Sequence, residues 1–310
     1  MEVIGNQRAS LGQDIHDLLL RTGKGQSIGQ FGEIFQGQIE DQFQRLRRCL
    51  VSLPCSSIYS RATFAPIKYA RLRVRPAHKQ KALKVTQLVL ARLNAARIGG
   101  TITIESTVPE AKGCGSSTAD CIAAAIAAAD AVGQQLSEEE MGSLVVEGEV
   151  ASDNFMFQRA VLFAHREGIV LEDYARNLPK LEVLGFDTAQ DAIVETLKHP
   201  PAAYSWRQHQ SFCTLSVALR RAIWEDDVGL LGRVATASAF INQLFLPKPM
   251  FSEIHSMAER SAALGIAVAH SGTVMSILLD PTDRRLENKV EEIKANLLNL
   301  GISNVLHFQT

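Results

Sequence analysis

The sequence predicts an α+β fold in two domains. At 310 residues the chain is longer than one domain of about 100 to 200 residues. A 46% hydrophobic share beside 21% charged residues places it among ordinary globular proteins with a sizeable core. Segments of strand-like alternation are interleaved with helical ones, and the last third runs strand, helices, strand, strand, helix, strand.

Taken in order, Gly23 to Gly37 is polar and dotted with glycine, and the apolar runs that follow are broken by polar residues, which favours strand. A basic cluster from Arg61 to Lys81 mixes Lys68, Arg71, Arg73, Arg75, Lys79 and Lys81 with apolar residues and reads as a solvated strand face and loop. Gly100 to Thr107 alternates β-branched residues with others and predicts a strand, which leads into the loop PEAKGCGSS. Ser117 to Val132 is Ala-rich with no Gly or Pro before Gly133, so it predicts a helix and its stop. Ser137 and Glu140 have capping-box spacing and open a second helix that runs to about Val150.

In the second half a strand is expected over Leu181 to Asp187, with helices at about Ser205 to Trp224, Asp226 to Asn242 and Pro249 to Leu264, the last ended by Gly265. Ile266 to His270 and Thr273 to Asp280 read as strands joined by a tight turn at Ser271-Gly272. A helix from about Thr282 to Leu300 and a strand over Asn304 to Gln309 follow. That order is the split βαβ, or ferredoxin-like, arrangement with extra helices in its first crossover. A proline in a polar stretch places the boundary near Asn177 to Lys180, dividing the chain into 1–178 and 179–310.

Thirty-two basic against 33 acidic residues leave a net charge of −1, so no global field draws nucleic acid or an anionic membrane. Met1 to Gln13 has no uninterrupted apolar run, and no window approaches the 18 or so apolar residues of a membrane span, so a cytoplasmic location is expected. The five cysteines (Cys49, Cys55, Cys114, Cys121 and Cys213) include no C-x-x-C pair and read as reduced, mostly buried thiols.

The strongest chemical signal is KGCGSSTAD, Lys112 to Asp120. Gly113 and Gly115 allow close backbone approach, and the loop opens onto the N-terminus of the Ala-rich helix. Unpaired N–H groups and the positive end of the helix dipole suit a phosphate chain there. Ser116, Ser117 and Thr118 add hydroxyls for capping, phosphate or Mg²⁺. On residues alone, a Gly-rich turn with a serine N-cap and no ligand fits equally well. Lys112 precedes the glycines, so this is no P-loop, and Gly23, Gly25 and Gly29 lack dinucleotide-fingerprint spacing. A G-x-S-x-G elbow and an H-E-x-x-H helix are both missing, which removes the usual support for hydrolase and zinc-enzyme readings.

Pro109 followed by GCGSSTA resembles the central signature of the GHMP kinase superfamily, with Cys114 where that signature has Leu. SIGQFGEIFQG (Ser27 to Gly37) and AHSGTVMSILLD (Ala269 to Asp280) resemble its first and third motifs. Within the superfamily the chain is most similar to the L-threonine kinases of cobalamin synthesis and propanediol utilization. Phe31-Gly32-Glu33-Ile34-Phe35-Gln36-Gly37 resembles their N-terminal motif, and Ala151-Ser152-Asp153 with Phe163-Ala164-His165 resembles their later segments. Cys114 and Ala151 depart from the pattern, at positions where the family has Leu and Pro. Ser27 stands where the mevalonate-kinase branch has Lys, so no catalytic lysine is carried over.

The resemblance implies an N-terminal half of the ribosomal protein S5 domain 2-like type, a ferredoxin-like C-terminal half, and ATP and Mg²⁺ as cosubstrate and ion. It implies a small-molecule hydroxyl acceptor, L-threonine or a related hydroxy amino acid, and is compatible with a homodimer. ATP would be held by Lys112, Gly113, Cys114, Gly115, Ser116, Ser117 and Thr118. Asp153 aligns with the catalytic aspartate that orients or deprotonates the acceptor hydroxyl; its plain structural role is a helix or turn cap. Glu149, four residues earlier, would share a helix face with Asp153 and join Ser117 on the metal, with Glu147 as its rival.

Substrate contacts fall to Glu33, Arg166, Ser271 and Gly272, with Arg166 as a carboxylate anchor and Glu33 as an ammonium anchor. His165 and Arg166 are equally readable as a surface pair, and His270 as a hairpin residue with a satisfied imidazole. Asn242 and Gln243 read as a helix stop or as a cleft lining. A kinase for another small alcohol, such as homoserine or a sugar, and a non-catalytic nucleotide- or metabolite-binding regulator are the alternatives.

Overall fold

The computed structural model describes residues 19–189 and 202–310; Met1 to Gln13 lies outside them. Two long strands, β1 (Gly23–Glu40) and β2 (Leu46–Lys68), pair antiparallel from Gly23–Phe64 to Glu40–Leu46. The register shifts three times between Ile28 and Phe35. Such bulges re-aim side chains, and here they turn both Gln30 and Glu33 inward, 1% exposed each. β3 (Leu72–Arg75) lies parallel to β4 (Ile98–Ser106), which pairs antiparallel with β2.

The Ala-rich segment forms α2 (Ser116–Ala131), laid directly on β1. A Cβ at Gly23 would stand 2.0 Å from the Ala127 carbonyl oxygen, and one at Gly25 would stand 2.1 Å from that of Ala123. These glycines and the helix alanines are small for the same reason: strand and helix backbones are nearly in contact. The capping box of α3 (Glu138–Glu149) is formed, with Ser137 Oγ accepting from Glu140 N and Glu140 Oε2 accepting from Ser137 N.

Two elements run against the sequence expectation. The basic cluster is not all solvated strand and loop: a helix, α1 (Gln80–Arg92), begins within it and packs Val85, Val89 and Leu90 against α2 and α3. The Lys79 ammonium is drawn in between Asp120 and Glu110. A hairpin, β5 (Val161–Ala164) and β6 (Ile169–Asp173), joins the edge of β2 through Leu50 and Phe163.

The remaining elements are β7 (Glu182–Asp187), α4 (Trp206–Glu225), α5 (Val228–Gln243), α6 (Phe251–Arg260), β8 (Gly265–Val268), β9 (Val274–Leu279), α7 (Leu286–Asn299) and β10 (Val305–Gln309). The sheet order β10-β7-β9-β8 is antiparallel throughout, as the split βαβ reading requires. One bridge, Glu33 to Val268, joins this part to β1 and continues the sheet through β2, β4 and β3. The expected two-residue turn at Ser271-Gly272 is instead a five-residue loop, Ala269 to Thr273. Ala269 N closes it by donating to the Val274 carbonyl at 3.1 Å, and it also docks onto the glycine loop, where Thr273 N and Val274 N both donate to the Lys112 carbonyl, at 3.0 and 3.3 Å. The cysteines are free, and all but Cys213 are buried.

Candidate active site

Gly115 caps α2 in a left-handed conformation (φ 73°), and no side chain caps the first turn. The first N–H groups of an α-helix have no intrahelical partner, and those of Ser116 to Thr118 border a cleft of about 360 Å³. This cleft is lined by Gly113, Gly115, Ser116, Ser117, Thr118, Glu149, Asp153 and Ser271, all expected from the sequence, together with Gln30, Lys81 and His270.

Glu149 and Asp153 do not share a helix face. α3 stops at Glu149, Val150 takes a left-handed C-cap at φ 78°, and Asp153 follows in irregular chain. Thr118 connects them instead: its hydroxyl donates to Glu149 Oε1 at 2.8 Å and accepts from Asp153 N at 3.3 Å. Burial raises the Glu149 carboxyl above the usual range, against the pull of the Ser117 hydroxyl, Lys81 and the Thr118 hydroxyl. The Lys81 ammonium lies 3.7 Å from Glu149 Oε2. Glu147 is exposed, and its carbonyl accepts from Lys84 Nζ at 2.9 Å.

Asp153 is 5% exposed and accepts from Gln30 Nε2 at 3.2 Å. Burial first, and then the Glu33 charge, push its carboxyl up to about 7, while His270 opposes them. His270 stands 3.2 Å from Glu33 Oε1, which satisfies its imidazole as expected, and 3.9 Å from Asp153 Oδ1, and it lines the cleft as well. Burial acts to lower its pKa, but the Glu33 hydrogen bond and the Glu33 and Asp153 charges prevail and raise it. Glu33, Asp153 and His270 each bring a potential ligand atom within 4.8 Å of the others. Ser117, Thr118 and Glu149, the first and last of them the expected metal ligands, line the same cleft with oxygen atoms.

Behind this group lies Lys248, 4% exposed, whose ammonium donates to the Gly272 carbonyl at 2.8 Å. Burial brings it down to about 7, with Glu33 acting the other way. The signal for it was a lysine between two prolines, Pro247 and Pro249, in an otherwise apolar turn.

Five expected residues, Arg166 among them, stand off the cleft. The Lys112 ammonium pairs with Asp187 Oδ2 at 2.8 Å and donates to the Ala189 carbonyl at 3.0 Å. The Cys114 side chain is in the core, its thiol pushed up to about 12 by burial, and its carbonyl accepts from Gln30 N at 3.0 Å. Gly272 (φ 92°) backs onto Lys112, whose carbonyl oxygen a Cβ would meet at 2.2 Å. Glu33 is buried beneath His270, and its Oε2 has no hydrogen-bond partner.

Arg166 lies in a second, smaller pocket of about 100 Å³ that shares His270 and Ser271 with the cleft. Arg48, His165, Tyr204 and Asn242 also line it. Burial, then the charges of His270, Arg166 and Arg48, hold His165 well below the ordinary histidine value.

Residues 80–158 match the family model described as the GHMP kinases N terminal domain. Among individual proteins it is 34% identical to an L-threonine kinase of Citrobacter freundii over 187 residues, 58% of this chain and 62% of that one. It is 32% identical to an L-threonine kinase of Salmonella typhimurium strain LT2 over 218 residues, 62% of this chain and 65% of that one. The chain thus spans somewhat under two thirds of the lengths of these relatives. It shares its fold with a homoserine kinase from Cytophaga hutchinsonii, with a TM-score of 0.65, 15% identity, and coverage of 93% of this chain and 94% of the other.

Proposed function

We propose that the protein is an ATP-dependent kinase that transfers the γ-phosphoryl group to a hydroxyl, that of L-threonine or a related hydroxy amino acid. The observation that carries this reading is the meeting of two cavities at one wall. A cleft bordered by a helix N-terminus and a glycine loop opens beside a pocket about a quarter its size, and His270 and Ser271 belong to both. Asp153 stands on the cleft side of that wall.

The N–H groups of Gly113 to Thr118 suit a triphosphate, and Lys81 adds a positive charge at the same cleft. The Ser117 hydroxyl and the Glu149 carboxylate fit Mg²⁺, which prefers oxygen donors. A cation there would hold Glu149 in the charged form that burial disfavours. When bound, the ion supplies neutralisation of phosphate charge. Asp153 orients the acceptor hydroxyl and takes its proton, steadied by Gln30. Arg166 anchors the acceptor carboxylate. On this reading the halves 1–178 and 179–310 hold nucleotide and acceptor between them, and the enzyme works in the cytoplasm, in a cobalamin or propanediol context. No helix among the described residues is long and apolar enough to cross a membrane.

The test is ADP release with Mg²⁺, ATP and a panel of L-threonine, L-serine, L-homoserine, mevalonate and galactose, with products identified by mass spectrometry. Phosphothreonine as the main product is expected. Phosphorylation of only a non-amino-acid alcohol would discard the threonine reading and keep the kinase. Measurable ATP binding without any product would favour a regulator.

A further inference from the structure

We propose that the smaller pocket reads the α-amino-acid head of its ligand, with Arg48 joining Arg166 on the carboxylate and Asn242 Oδ1 accepting from the ammonium. The inference rests on the kinase reading only for where the reacting hydroxyl points. A pocket of about 100 Å³ is well below the about 300 Å³ at which sites for drug-sized ligands begin, so its occupant is a small metabolite.

The charge on its walls says which kind. Arg48 and Arg166 both line it, and neither forms an ion pair with a carboxylate among the described residues. Arg48 is held in place, donating to the Ala202 carbonyl at 2.6 Å with its guanidinium carbon 6.0 Å from the centre of the Tyr204 ring. Two guanidiniums sharing one small cavity repel each other unless an anion lies between them, and the planar fork of arginine matches a carboxylate. His165 adds a buried Nδ1 without a partner.

Asn242 supplies the opposite polarity. Gln36 Nε2 donates to the Val268 carbonyl at 3.0 Å, which fixes that amide so that Gln36 Oε1 faces Asn242. Asn242 must then present its nitrogen to Gln36, and does so at 2.7 Å. Its Oδ1 is therefore the free atom, an acceptor without a partner on a residue 8% exposed. A ligand with only an anion would leave this acceptor unpaired, and one with only a cation would leave the guanidiniums unneutralised; each omission carries a desolvation cost. A zwitterion answers both. Glu33, by contrast, does not line this pocket.

The probes are L-threonine, 1-amino-2-propanol, which lacks the carboxylate, and 3-hydroxybutyrate, which lacks the ammonium. For the wild-type protein kcat/KM for L-threonine should exceed that for either analogue by at least about 10²-fold, because a site built around a polar group rejects ligands without it. Arg48→Met should collapse the preference over 1-amino-2-propanol to within about tenfold while the preference over 3-hydroxybutyrate persists. Asn242→Leu should do the converse. Arg48→Lys, which keeps the charge and loses the fork, should fall between, and it carries the test if Arg48→Met does not fold. Ratios unchanged in folded variants would overturn the proposal. Should no acceptor be phosphorylated, the kinase reading fails and calorimetric titration of L-threonine decides this one. Binding that both variants weaken upholds it, and no binding to the wild-type protein overturns it.

Discussion

The cleft at the start of α2 and the pocket beside it differ in how they are built. Much of the cleft's wall comes from one stretch of chain, Gly113 to Thr118, in which a glycine loop becomes a helix. The pocket draws Gln36 from β1, Arg48 from β2, His165 and Arg166 from the turn after β5, Asn242 from the end of α5, and His270 from the loop after β8. A local site concentrates its function in backbone geometry, so one residue can destroy it. A site assembled from distant elements spreads recognition over side chains, each removable at a smaller and more selective cost.

The largest effect should come from the backbone of the cleft. A Cβ at Gly115 would stand 2.5 Å from the Phe155 ring and 2.8 Å from Asp153 Oδ2, at a φ of 73° that a β-branched residue resists. Gly115→Val should weaken binding of a non-hydrolysable ATP analogue by more than about 10²-fold with the circular dichroism spectrum retained. Unchanged affinity would place the nucleotide elsewhere.

Asp153→Asn tests the side chain at the junction of the two sites. It should lower kcat by about 10² or more and leave affinity for the ATP analogue within about threefold. Because the Asp153 carboxyl is pushed up to about 7, wild-type kcat should fall as pH drops through 7 and the carboxylate takes up a proton. A wild-type profile flat from pH 5.5 to 8.5 would remove Asp153 as the base.

Lys248 lines neither cavity but holds the Gly272 carbonyl, and it should affect stability more than chemistry. Its folded pKa of about 7 lies below the ordinary 10.5, so the unfolded chain binds the extra proton between those values and this group's contribution to stability rises with pH. The contribution is complete above about 10.5 and is lost as pH falls through 7. Lys248→Met removes that dependence. The difference in Tm, variant minus wild type, should therefore be most positive at pH 7 and below and should shrink toward pH 10, as read by scanning calorimetry. A difference independent of pH would mean that the ammonium is not desolvated.

The smallest effect is expected at Lys112. Its ammonium is committed to Asp187 and Ala189, so Lys112→Met should leave KM for ATP within about twofold and cost about 1 kcal/mol of stability, as partly exposed pairs do. A tenfold rise in KM would return this lysine to the phosphates.

What the sequence determined by itself was whatever depends on neighbours along the chain. The α2 helix, the capping box at Ser137 and Glu140, and the strand order of the last third follow from propensity and spacing, and the structure has them. Gly113 to Thr118 were readable as a candidate phosphate loop because loop and helix N-terminus are consecutive. Tertiary structure decided the rest. Val150 ends α3 in a left-handed cap, so Glu149 and Asp153 meet through Thr118 and not along a helix face. Lys112 pairs with Asp187 outside the lining of the cleft, whereas Lys81, in the first turn of α1, lines it. Charge and hydrogen-bonding partners act over a few ångströms in space. Arg48, His165, Asn242, Lys248 and His270 therefore acquire their chemistry from residues that sequence separation hides, once the sheet has closed around them.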